Sequence, residues 1–303
     1  MRNKILIFSV IILLLGTLIS GCDGCKGEDA NAEPKIDSTE NENANVGKII
    51  KFNGRLFSLP SPFQIAELIK NTKATYNSDL INPSVNSSKY TSSDKQALNL
   101  GIYGADLGYI NIYDQYADAA RYFSVIRGLT NNLNIMNSFT EEIFSAIEKN
   151  STNKDSLMKI IADSYRNADS YLIDNERNDV AVLVLAGGWV EGLFLMTQNY
   201  KEQNSNEILL RIGDQKHPLN NLIELLKPYY GHKSEDYDLL VEQLAEMAMI
   251  YDGVDIKYTY IDPKVYPNKK LTVINSTTET IINDYQLKAI TEQVNKIRSQ
   301  IVE

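Results

Sequence analysis

Residues 180–196 read VAVLVLAGGWVEGLFLM, the most apolar internal stretch of the chain, with one charge at Glu191 and glycines at 187, 188 and 192. Crossing the hydrocarbon core of a bilayer takes about 20 apolar residues. This run is shorter and holds a carboxylate, so it reads as a helix buried on all sides within a bundle rather than as a membrane span. Such a helix has to be wrapped by others, and that requirement sets the fold class.

Helical periodicity is found on both sides of it. Towards the N-terminus, Lys95 to about Asn134 places Leu98, Ile102, Ala105, Tyr109 and Ile112, then Ala120, Phe123, Ile126 and Leu129, on neighbouring faces, as one long helix or two. Ser61-Pro62-Phe63-Gln64 and Ser138-Phe139-Thr140-Glu141 are capping boxes that open helices through Ile65 and Ile69 and through Ile143 and Ile147. Asp155 to Ile173 repeats the pattern. Residues 49–59 read as extended, and the Asn- and Ser-rich stretch from Thr75 to Asp94 as a long loop.

Towards the C-terminus, Ile208–Leu226, despite Pro218, and Tyr237–Tyr251 are helical, separated by Pro228 and Gly231. The period then changes to two. Asp255–Ile261 and Lys270–Ile274 alternate β-branched and aromatic residues around Pro263, Pro267 and Asn268, which predicts a hairpin over residues 254–275. Residues 283–302 form an amphipathic helix through Leu287, Ile290, Val294, Ile297 and Ile301. The expected architecture is mostly α: a single helical domain over residues 49–303, a multi-helix bundle with one small β-hairpin before the C-terminal helix.

Two segments of the bundle echo each other. Gly104-Ala105-Asp106-Leu107-Gly108 and Gly188-Trp189-Val190-Glu191-Gly192 stand 84 residues apart, with Tyr116 and Tyr200 in the same register, as duplicated halves or chance would give. Glycines one turn apart let another backbone approach closely. A mid-helix Gly costs about 1 kcal/mol relative to Ala, and tight packing is the usual compensation. Asp106 and Glu191 are carboxylates in apolar surroundings, and a buried charge needs a partner. If the two helices cross at their glycines, the acids face one another, or Arg121, Arg211 or Lys216. They then form a structural network or a polar centre for a ligand. The candidate site is thus Asp106 and Glu191 with Gly104, Gly108, Gly188, Gly192 and Trp189. Paired carboxylates can also do acid/base chemistry when their environments split their pKa values, although structural pairing is commoner. The polar run Arg211–His217 reads as a solvated helix face, and Tyr229 and Tyr230 as an exposed pair.

The N-terminus carries an address. Arg2 and Lys4 precede an apolar run from Ile5 to Ile19, and the run ends in Leu18-Ile19-Ser20-Gly21-Cys22. This ending resembles the lipobox of bacterial lipoproteins. The resemblance implies a leader at residues 1–21, a lipid-modified Cys22 with palmitate-type acyl chains, and attachment to a membrane of the cell envelope. Several chains anchor stably where one binds only marginally. Residues 22–48 then read as an acidic flexible tether, with an r.m.s. span of about 28 Å. With Cys22 acylated, Cys25 has no second cysteine to pair with. The succession FSLPSPFQ, LNLGIYGADLGY, GGWVEG and RIGDQK is similar to mostly helical lipoproteins of Gram-negative bacteria, which implies an envelope protein and supplies no catalytic residues.

A formal charge of −9 and a pI near 5.0 argue against nucleic acid as a partner and equally against membrane attraction through basic patches. The two histidines, His217 and His232, sit in no metal-ligand spacing. No nucleophile elbow, P-loop, dinucleotide fingerprint or EF-hand occurs, so neither a metal nor a cofactor is expected. The first functional expectation is a lipid-anchored, noncatalytic binding or scaffold domain for an envelope protein or glycan, with the hairpin or a helix groove as contact surface. The alternative is a small-molecule or glycan receptor whose pocket is lined by Tyr103, Tyr109, Trp189 and the carboxylates Asp106 and Glu191. A hydrolase using Asp106 and Glu191 comes third.

Overall fold

A computed structural model describes residues 48–52, 55–59, 62–135 and 177–303, with scattered positions between 142 and 160. The leader, Cys22, nearly all of the tether and most of the helices expected at 138–147 and 155–173 lie outside the described residues.

The fold is mostly α. A short antiparallel pair, β1 (Lys48–Phe52) and β2 (Arg55–Leu59), precedes α1 (Pro62–Asn71). After a 3-10 turn at Ser84–Lys89 come α2 (Ser93–Ile112), α3 (Tyr116–Asn132) and α4 (Asn178–Gln203). They are followed by α5 (Asn206–Gly213), α6 (Lys216–Leu226), α7 (Glu235–Asp252) and, after the strands, α8 (Asp284–Val302).

Two of these helices form the centre. Ala97 through Ile112 of α2 is buried without interruption, and α4 buries most of Val180–Asn199. Helices apolar on every face cannot lie at a surface. Successive contacts advance together along the pair, Leu98 with Gly187, Asp106 with Glu191 and Tyr109 with Asn199, so α2 and α4 run in the same direction. α8 packs against them in the opposite sense: Asn295 meets Gln198, Arg298 meets Glu191, and Asn99 meets Ile301. α1, α3, α5 and α7 pack around this set through amphipathic faces.

The glycines explain how two backbones come so close. A Cβ at Gly101 would collide with the Val184 carbonyl and lie 2.6 Å from the Gly188 nitrogen, and one at Gly187 would collide with the Leu98 carbonyl. The crossing is tightest at Gly101, a residue not expected, which meets Val184 and Gly188, and at Gly187; the expected Gly104 and Gly108 are buried one and two turns further along α2. Gly192 makes room for α1 instead, since its Cβ would lie 2.6 Å from Ile65 Cδ1.

The helix ends follow from local chemistry. Ser92, Ser205 and Ser234 cap α2, α5 and α7 by accepting from backbone N–H groups, and Asn283 and Gln286 form a reciprocal capping box at α8. The pattern over 95–134 is two helices. Asp114 takes a left-handed conformation (φ 60°), and Gln115 N donates back to Ile110 O at 3.1 Å. The single helix read over 208–226 is likewise two, with Pro218 in the first turn of α6, where its missing N–H has no partner to lose.

The strand region differs from the hairpin expected over 254–275. β3 (Asp255–Thr259) pairs with β6 (Thr277–Ile281), from Asp255↔Ile281 to Thr259↔Thr277. β4 (Lys264–Tyr266) pairs with β5 (Leu271–Val273) further out. Between the two ladders Ser276 Oγ accepts from Ile261 N at 3.1 Å and donates to Ile261 O at 3.2 Å. The result is one long two-stranded arm, rooted by Thr280 and Ile256 and exposed at every residue from Thr259 to Thr272.

Candidate buried polar centre

Asp106 on α2 and Glu191 on α4 meet in the core, both with 0% exposure. Their cation is Arg298 of α8, a residue absent from the expected set. Its Nε donates to Glu191 Oε2 at 2.7 Å, its Nη2 donates to Glu191 Oε1 at 2.9 Å, and Nη2 also reaches Leu80 O at 2.9 Å. The guanidinium lies 4.0 Å from the Phe194 ring centroid. A bidentate fork matched to a carboxylate and stacked on an aromatic face is the arrangement in which Arg is best retained in a core.

Asp106 is held differently. Its Oδ2 accepts from Asn82 N at 3.0 Å, while Oδ1 finds no partner as a carboxylate oxygen. Burial, then the adjacent Glu191 carboxylate, raise the Asp106 carboxyl well above its usual range, and Arg298 opposes them only in part. The Asp106 carboxyl therefore holds its proton to higher pH than a free carboxyl does. Burial by itself would lower the Arg298 pKa, but the Glu191 carboxylate outweighs it and holds the guanidinium above its ordinary value. The centre is thus an Arg298–Glu191 ion pair with the Asp106 carboxyl beside it.

Around it the polar loop before α2 is fastened from three sides. Asn82, itself fully buried, donates from Nδ2 to Tyr90 Oη at 2.9 Å and to Asn99 Oδ1 at 3.2 Å. Its carbonyl accepts from Tyr122 Oη at 2.7 Å. Tyr103 Oη donates to Pro83 O at 3.0 Å, and Tyr90 Oη and Asn99 Nδ2 bond the last carbonyls of α8, those of Val302 and Ile301. Burial raises the pKa of Tyr90, Tyr103 and Tyr122, so their hydroxyls remain donors. The stretch expected as a loop is a strap held by the same network that holds the acids.

The other expected residues are distributed as follows. Trp189 is buried, and its Nε1 donates to Gln215 Oε1 at 3.1 Å at the joint between α5 and α6. That joint corrects the solvated face expected over 211–217, because Gln215 is buried and Asp214 accepts from Thr280 Oγ1. Tyr109 accepts from Asn77 N at 3.1 Å and stacks with Tyr76 and Tyr113 inside the body. Arg121 pairs with Asp118 at the surface, and Lys216 donates to Val254 O at 2.9 Å, so neither serves the acids. Tyr230 is exposed and donates to Glu242 Oε1 at 2.9 Å, while Tyr229 is half-buried against Tyr237. Among the described residues, no three His, Cys, Asp or Glu side chains gather in a metal-binding group.

An open groove of about 500 Å³ lies between the 3-10 turn and α3, lined by Ser84, Ser87, Ser88, Ser124 and Arg121. No family model, no curated protein and no solved structure matches the chain. The functional reading therefore rests on this chain's own chemistry.

Proposed function

We propose that the chain is a lipid-anchored lipoprotein of the cell envelope, held to a membrane through Cys22, whose helical body binds or scaffolds a partner rather than catalysing a reaction. The motif Leu18-Ile19-Ser20-Gly21-Cys22 behind an apolar leader supports the anchor. The closure of the acid centre is the observation that carries the noncatalytic half. A catalytic carboxylate must touch its substrate, whereas Glu191 spends both oxygens on Arg298, and Asp106 lies fully buried between Asn82 and Glu191.

Metabolic labelling with a palmitate analogue tests the anchor. Wild type is expected to take label and to lose it in Cys22→Ala. Equal labelling of the two, or none in either, would contradict the reading.

A receptor for a small polar ligand or glycan is the second reading, favoured by the serine-lined groove beside Arg121. Tyr103, Tyr109 and Trp189, expected to line such a site, are core residues and give it no surface. A glycan at 100 times its dissociation constant would stabilise the fold by about 2.7 kcal/mol, which thermal-shift screening detects and Arg121→Ala would abolish.

A further inference from the structure

The arm gathers lysines and exposed apolar side chains at one tip. From Asp262 to Thr278 the chain holds Lys264, Lys269 and Lys270 against the single carboxylate of Asp262, in a protein of formal charge −9. The same stretch exposes apolar side chains: Val265 is 62% and Ile274 74% exposed, and Tyr266 and Leu271, a cross-strand pair, are exposed together. Register places Lys264, Tyr266 and Leu271 on one face of the outer ladder, with Lys269 and Lys270 in the turn at its end.

The tip also stands away from the acidic body. Fully extended, the seven steps from Thr259 to Tyr266 would span about 23 Å, more than two Debye lengths at an ionic strength where that length is about 8 Å. With Asp262 exposed on the same arm two residues before Lys264, the tip carries three positive charges against one negative, a net excess of two that the body's more distant carboxylates oppose only weakly. We infer that the tip of this arm docks on an anionic bilayer surface, with Tyr266 and Leu271 at the level of the headgroups and Lys264, Lys269 and Lys270 on lipid phosphates.

Two observations favour a lipid surface over a protein strand. The outer strands are three residues long and lysine-bearing, which blunts addition of a foreign strand to their edges. Tyrosine, aliphatic and lysine side chains mixed at one tip match the layered chemistry of a membrane interface, where aromatic rings sit beside headgroups and lysines reach phosphate. The inference rests on the lipid-anchored reading for the arm's access to a bilayer, since a tethered body meets its own membrane at high effective concentration. Anchor and tip would then hold the body by two points.

The full chain is reconstituted into vesicles of phosphatidylcholine alone and of phosphatidylcholine with phosphatidylglycerol in equal parts. An environment-sensitive fluorescent amino acid replaces Tyr266, and in a control it replaces Val85 on the 3-10 turn. A blue shift at position 266 in the anionic vesicles alone is expected, with none at position 85. The shift should be lost in the triple variant Lys264→Gln, Lys269→Gln, Lys270→Gln. Each lysine near an anionic surface is worth about fivefold in partitioning, about a hundredfold for the three.

Emission at 266 that is the same in both vesicles would overturn the inference, and so would a shift that survives removal of the lysines. A tip that leaves water only when native envelope proteins are added would overturn it in favour of a protein partner. Acylation of Cys22 is read on the same samples. An acylated chain with an unshifted tip removes the inference and leaves the anchor reading intact, whereas a shifted tip on a chain without acyl groups does the reverse.

Discussion

The centre of the molecule and its arm treat charge and apolar surface in opposite ways. In the centre, Asp106, Glu191 and Arg298 are taken out of water: Glu191 and Arg298 are matched by one another, Arg298 also by Leu80 O, and Asp106 Oδ2 by Asn82 N of the strap. In the arm, Tyr266, Leu271 and three lysines stay in water with no partner in the described fold that covers them. Buried polar groups are costly unless matched, and a closed network is how a core tolerates them. Exposed apolar groups gathered with like charges are costly in another way, and they persist where something outside the chain uses them. The contrast separates residues that hold the fold from residues available to a partner.

Breaking the centre should have the largest effect. Arg298→Met leaves Glu191 buried without its cation, and loss of one partner of a buried pair costs about 3–5 kcal/mol. Urea denaturation should show a correspondingly lower midpoint with an unchanged slope, and a loss below 1 kcal/mol would mean the pair is not sealed from water. A smaller loss, about 1–3 kcal/mol, is expected from Gly187→Ala, because its methyl would meet the Leu98 carbonyl across the helix crossing. The same substitution at Gly128, where a Cβ meets nothing within 4 Å, should leave stability unchanged or raise it by up to about 1 kcal/mol. The arm should give the least: Tyr266→Ser with Leu271→Ser should shift stability by no more than about 0.5 kcal/mol. A large loss there would mean the tip is part of the core's support, and the contrast would fail.

Most of the helical fold was legible because burial on every face leaves a plain mark. A run such as Val180–Met196 has no polar face to disguise it. The breaks at Asp114 and within 208–226 were harder, since a non-glycine left-handed residue and a proline in a first turn leave apolar periodicity nearly intact. The β1–β2 pair escaped although Asn53-Gly54, a strong hairpin-turn dipeptide, lies between the strands in the sequence. Strand β6 escaped because Thr277, Thr278 and Glu279 are exposed and only Thr280 is buried, so there was little alternation to see.

At the site, the two acids were legible as charges inside apolar helices. Arg298 was not, because it shares an amphipathic helix with Lys288 and Lys296, which are surface cations, and spacing along the chain carries no trace of a partner 107 residues away. Asn82 was invisible for a related reason. Its backbone N–H is what holds Asp106, and no side-chain pattern announces a backbone donor.

The proton in the centre offers the most direct measurement. Asp106 has its folded pKa raised by burial and by Glu191, so the folded state binds that proton more tightly than the unfolded chain does. Stability from this group is complete below the unfolded carboxyl value, about pH 4, and is lost as pH rises towards the folded value. Asp106→Asn offers Glu191 an amide donor and keeps an acceptor for Asn82 N, with nothing to titrate. Unfolding free energies of the wild type and this variant, measured side by side from pH 4 to pH 9, should diverge, the wild type falling steadily relative to the variant. Two curves that stay parallel across that range would show that Asp106 binds its proton no more tightly in the folded state, and would contradict the raised carboxyl in the buried centre.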